Sequence, residues 1–157
     1  MRGLTLLEVL VVMVILGVLS LLVIPGLRDW KVKKDVENTI KELYSALNEA
    51  RILALTEKRA CGLIWNGEEL GKIKIICDLN EDEDIVDEGN ELKQERVLGI
   101  KVKKNFASNY VLFNPRGFAV TLGSFYVQNT KADYDCITIS RTRIKMGKWQ
   151  NGTCIPK

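Results

Sequence analysis

The sequence predicts an α+β protein: one long N-terminal helix, apolar in its first half, packed on antiparallel β-sheets. Three observations predict it. Residues 4–27 form an apolar run with a single ionisable side chain, Glu8. Val32, Val36, Ile40, Leu43, Leu47, Ala50 and Ala54 then recur at spacings of three and four, an amphipathic helical stripe. Beyond about residue 60 the chain breaks into short β-like runs separated by turn signals.

The first element is long enough to cross a bilayer: Leu4 to Leu27 is 24 residues. A carboxylate inside such a segment costs about 2.5–3.5 kcal/mol on insertion scales, so Glu8 points to a partner. The alternative is an ordinary anchor whose Glu8 reaches the head groups. A secretory signal peptide does not fit. The basic leader is only Met1-Arg2, the apolar stretch is too long, and no small-x-small cleavage site follows. The helix then continues over residues 28–60, with Lys33, Lys34, Glu37, Lys41, Glu42 and Glu49 mostly off the stripe, and ends near Arg59–Gly62.

Residues 61–157 read as one antiparallel β domain, without repeat or linker. The expected strands are Cys61–Trp65, Lys72–Cys77, Arg96–Lys103, Tyr110–Phe113, Phe118–Leu122, Phe125–Gln128, Asp135–Ser140 and Arg143–Met146. Asn66-Gly67, Asn114-Pro115-Arg116-Gly117 and Gly123-Ser124 are the clearest turn signals. A turn over Asn66–Gly71 sets Cys61 opposite Cys77, and Cys136 would then join Cys154, fastening the tail to a strand. Four buried free thiols are the alternative. With no CxxC pair and no histidine, a zinc site is not expected.

The net charge of +3 is unevenly spread. Residues 78–91 hold eight acids and no Lys or Arg, whereas residues 92–157 hold twelve Lys/Arg against three acids. Within the acidic run, Asp78, Asn80 and Asp82, with Asp84 or Asp87, begin like a calcium loop. Glu83 and Gly89 stand where an EF-hand needs Gly and a bidentate Glu, so an EF-hand is excluded. An irregular Ca²⁺ site and a plain solvated loop remain as the two readings. Near the C-terminus Arg141, Arg143 and Lys145, with Lys148 beyond them, form a basic run. Strand alternation would put the first three on one face, a phosphate-tracking stripe or simply a solvated basic face. Without histidine, nucleophile motif, phosphate loop or metal cluster, no enzyme and no resident cofactor is expected.

Gly3, Leu4 and Glu8 together resemble the prepilin signal of type IV pilins and type II secretion pseudopilins: a short basic leader ending in Gly, a hydrophobic residue, then Glu at the fifth mature position. Pro25 and Gly26 also fall where that family often relaxes its helix. Leu4 departs mildly from the commoner Phe. The resemblance implies a 1–3 leader cut between Gly3 and Leu4 by a prepilin peptidase, with N-methylation of Leu4. It also implies filament packing in which Glu8 faces the Leu4 ammonium of a neighbouring pilin, offsetting two desolvation costs at once.

The run CDLNEDEDIVDEGNEL, the later LFNPRGFAVTLGSFYV and the closing CITISRTRIKMG resemble, in order, segments of GspH/FimT-type minor pseudopilins. Major pilins share leader and helix but usually carry a simpler sheet. The resemblance implies a pilin-like fold and a structural subunit of a type II secretion pseudopilus supporting protein export. The alternative is a minor type IV pilin that captures DNA or adheres at a pilus tip. Thr142-Arg143-Ile144-Lys145 stands where FimT-like members carry the Gly-Arg-x-Arg linked to DNA capture. The Gly is missing and the last Arg is Lys, which lacks the planar fork. The implied location is the inner membrane, single-pass, with the β domain in the periplasm. Arg28, Lys31, Lys33 and Lys34 after the span argue the other way by the positive-inside rule. The leader and the cysteines, which favour an oxidising compartment, outweigh them.

Overall fold

A computed structural model describes residues 5–79, 85–86, 90–128 and 130–157, with the side chains of residues 20–26 outside that description. Helix α1 runs unbroken from Leu6 to Glu57, straight through the expected relaxation at Pro25-Gly26. It starts where it does because Thr5 is extended and its hydroxyl accepts a hydrogen bond from the Glu8 amide at 3.3 Å. This satisfies one of the donors that every helix start leaves open. It ends at Lys58, which turns into the left-handed region at φ 54°.

The two halves of α1 differ in what they bury. Val36, Ile40, Leu43, Leu47, Ala50 and Ala54 are all inside, as the stripe requires. Ala46, Ala50 and Ala54 are small enough to let the sheet approach the helix closely. Val32, expected on the stripe, is exposed because the β domain begins to cover the helix only one turn later. Glu37, expected off the stripe, is buried, and the reason is an anchor described below.

Among the described residues eight strands follow: β1 (Cys61–Ile64), β2 (Leu70–Cys77), β3 (Glu91–Lys104), β4 (Tyr110–Phe113), β5 (Gly123–Tyr126), β6 (Cys136–Ile139), β7 (Ile144–Gln150) and β8 (Thr153–Pro156). They form one sheet in the order β4-β1-β2-β3-β5-β6-β7-β8, and every pairing is antiparallel. The 14-residue β3 joins the two halves. Its first part pairs with β2, and Lys103 and Lys104 pair with β5. Its register against β2 slips between Leu70 and Lys72. Leu63, Ile73, Ile75, Val102, Val111, Phe113, Phe125 and Ile137 pack with the α1 stripe in one core. Ala60, Ile76, Ile85 and Leu112 form a smaller cluster. At Gly62 a Cβ would sit 2.1 Å from the Val111 carbonyl oxygen, so only glycine lets β1 and β4 lie this close.

Two expectations need correction. Phe118–Leu122 is not a strand: its backbone makes a single bridge, Ala119 to Phe113. The Ala119 amide donates instead to the Arg141 carbonyl, so this segment ties the outer edge of β4 to the tip between β6 and β7. Strand β8 lies beyond the expected set. It pairs with β7 through Asn151-Gly152, whose φ values of 50° and 79° fit a two-residue hairpin turn.

Both disulfides join the expected partners. Cys61 bonds Cys77 directly across the β1–β2 ladder, and Cys136 bonds Cys154, fixing β8 to the sheet. No described cysteine is free.

Candidate assembly site

The N-terminal half of α1 presents apolar surface on all sides. Leu6, Leu7, Val9, Leu10, Val11, Val12, Met13, Val14, Ile15, Leu16, Val18 and Leu19 are each at least 44% exposed. Glu8 lies among them, also exposed, in the first turn of the helix. A negative charge there complements the positive end of the helix dipole. Gly3 and Leu4, the expected processing pair, lie outside the described residues. Among the described residues no helix is long and apolar enough to cross a membrane; the side chains of residues 20–26, inside the apolar run, lie outside the described set.

Between this rod and the core, a strap of residues 130–135 holds α1 by charge. Lys131 Nζ donates to Asp29 at 2.8 Å and Lys33 Nζ donates to Asp133 at 2.7 Å. The Asp133 amide donates to Glu37 Oε1 at 3.2 Å. Asp29, Lys33 and Glu37 are four residues apart and so share one helix face. The Lys131 hydrogen bond draws the Asp29 carboxyl below its ordinary pKa, and Lys131 is raised in return. The hydrogen bond between Lys33 and Asp133 raises the first and lowers the second. Glu37 is also lowered, chiefly by the Asp133 amide, although burial pushes it up.

The strap's other end is anchored in the sheet. Lys148 Nζ donates to the Thr130 and Ala132 carbonyls at 2.9 and 2.7 Å and to the buried Asp135 at 2.6 Å. Asp135 also accepts the Trp149 amide at 2.6 Å. Lys148, expected in the basic run, is therefore committed to the fold. Sequence reasoning missed this network; the only signal was two acids, Asp133 and Asp135, inside an otherwise basic half.

The remaining basic residues are not on one strand face. Arg141 and Thr142 form the two-residue tip between Ser140 and Arg143, which exchange backbone hydrogen bonds. Arg143 and Lys145 flank and follow that tip, and all three cations are exposed. In the acidic run, Asp78 is buried beside the start of β1, its amide donating to the Ala60 carbonyl at 2.8 Å. It is not part of a solvated loop. Asn80, Asp82, Asp84 and Asp87 lie outside the described residues. Among the described residues Glu57, Cys61 and Cys77 bring ligand atoms together. Both sulfurs are locked in a disulfide and supply no thiolate, so the group does not fit a metal.

Known proteins give the same picture. The family model for the type II transport protein GspH matches residues 39–143, and that for the prokaryotic N-terminal methylation motif matches residues 1–24. The chain belongs to the GspH family. It is accordingly a minor pilin-type subunit of the GspH/FimT kind, and such subunits assemble with other pilins into a filament. Two crystal structures of the type IV minor pilin FimU of Pseudomonas aeruginosa (strain PAO1) share its fold. One superposes with a TM-score of 0.56 at 22% identity, covering 71% of this chain and 92% of FimU. The other gives 0.59 at 21% identity, covering 76% and 92%. No curated protein matches the chain. Within this GspH-family chain, Glu8 falls in the segment that the methylation motif covers.

Proposed function

We propose that this chain is a minor pseudopilin of a type II secretion system, a structural subunit without enzymatic activity. It is held in the inner membrane by residues 4–27 and carries its β domain in the periplasm. A prepilin peptidase removes residues 1–3 and methylates Leu4; the apolar rod then enters a short pseudopilus whose growth drives protein export. The observation that carries this reading is the rod itself. A helix exposing aliphatic side chains all round over Leu6–Leu19 has no stable existence in water and needs lipid or neighbouring helices to cover it. Glu8 supplies the one charged group that can set register against a neighbour's Leu4 ammonium.

The second reading is a minor type IV pilin that captures DNA, favoured by the exposed Arg141, Arg143 and Lys145. Two assays separate the readings. Deleting the gene abolishes export of secreted enzymes if the first holds. Duplex DNA binding that falls steeply with salt and vanishes in an Arg141, Arg143 and Lys145 triple-alanine variant supports the second. The acidic run is tested by calcium titration. A Ca²⁺ site raises the thermal midpoint, and a solvated loop leaves it unchanged.

A further inference from the structure

We propose that the β domain rests on the bilayer surface, with Arg28, Trp30, Lys31 and Lys131 forming one contact surface for anionic lipid head groups. The inference rests on reading residues 4–27 as the membrane span. Trp30 is 60% exposed, and nothing in the β domain covers it, Leu27 before it or Val32 after it. Arg28 and Lys31 are exposed, and neither forms an ion pair among the described residues. From Leu27 to Trp30 the helix rises about 4.5 Å. That keeps the indole inside the polar layer of about 5–7 Å that lies between hydrocarbon and water. An indole flanked by cations is the side-chain set favoured at that depth.

The β domain reaches the same level. Lys131 is fixed to Asp29, one residue from Trp30, yet its side chain stays 82% exposed. The strap cannot rise on its own, because the Lys148–Asp135 pair holds it to β7 and the Lys33–Asp133 pair holds it to the next turn of α1. The strap at Lys131 therefore lies level with the head groups whenever Leu27 lies at the hydrocarbon edge. At this level three cations, Arg28, Lys31 and Lys131, face a single acid, Asp29, so the surface is net positive and complements anionic lipid. Ion pairs this exposed are weak and screened by salt, which leaves Lys131 free to exchange Asp29 for a phosphate.

The test uses the full chain in nanodiscs of phosphatidylcholine, with and without phosphatidylglycerol. Lysine acylation is mapped by mass spectrometry, and the Trp30 signal is taken as the difference between wild type and Trp30→Phe. Lys31 and Lys131 are expected to acylate several-fold more slowly when phosphatidylglycerol is present. Lys58, about 40 Å further along the helix, and Lys145 should not change. A head-group spin label on the lipid should quench the Trp30 signal. Equal protection in both lipids overturns the anionic preference. Rates at Lys31 and Lys131 that track Lys58, with Trp30 unquenched and the chain still in the nanodisc, overturn the contact surface while the span survives. A chain that fails to enter nanodiscs overturns both.

Discussion

Glu37 is a charged residue on the core-facing side of a helix, and it is tolerated there because its partners are built in. The Asp133 amide and the Lys34 and Lys33 ammoniums replace the water it loses. Together they hold its pKa below the ordinary 4.5 in spite of burial. A folded pKa below the unfolded one means that the ionised form stabilises the fold. That contribution is complete above about pH 4.5 and is lost as pH falls through the lower folded value. Glu37→Gln should therefore be less stable than wild type at neutral pH, and urea unfolding should show the gap closing in acid. Lys148 makes the complementary prediction. Lys148→Ala leaves the Asp135 carboxylate buried with fewer partners, at a cost of about 1–3 kcal/mol in the same assay. Neither role was visible in the sequence, since a run of charges carries no signal of which of them finds a partner across the fold.

Elements were more legible than the residues that join them. The spacing of Val36, Ile40, Leu43 and Leu47 specifies a helix face, and that face is the core. Leu47→Ala should lose about 2–5 kcal/mol in chemical denaturation, because a fully buried leucine leaves a cavity. The β1–β2 hairpin is legible for a related reason, a turn over Asn66–Gly71 between two apolar runs. It even fixed the Cys61–Cys77 register. The hairpin of β7 and β8 carries an equally strong turn signal in Asn151-Gly152, but the four residues that follow, Thr153–Pro156, are too short a run to show a strand pattern. Phe118–Leu122 failed in the opposite sense. Its residues favour a strand, but its hydrogen bonds are divided between the β4 edge and the Arg141 tip. Alternation likewise misplaced Arg141, since a two-residue tip interrupts the strand pattern without changing composition.

At the scale of the whole molecule, the chain is a stable head on an apolar rod. The disulfides serve the head unequally. Cys61, Cys77 and Cys136 are fully buried, whereas Cys154 is partly exposed near the C-terminal end. Mild reductant should open Cys136–Cys154 first, and alkylation followed by mass spectrometry reads the order. Opening a loop of this length lowers stability by about 3 kcal/mol. The rod is where the fold and the function part company. The head buries a continuous apolar core of its own, while Leu6–Leu19 leaves its side chains outside for something else to cover. The GspH family supplies the occupant, other pilins, and the proposed contact to them runs through Glu8. The most direct measurement is therefore made in cells carrying Glu8→Ala, with the protein followed by membrane fractionation and by cross-linking to its filament neighbours. The variant is expected to fractionate with the membrane at wild-type levels yet form no filament cross-links. A variant that cross-links like wild type, or that is lost from the membrane altogether, would contradict it.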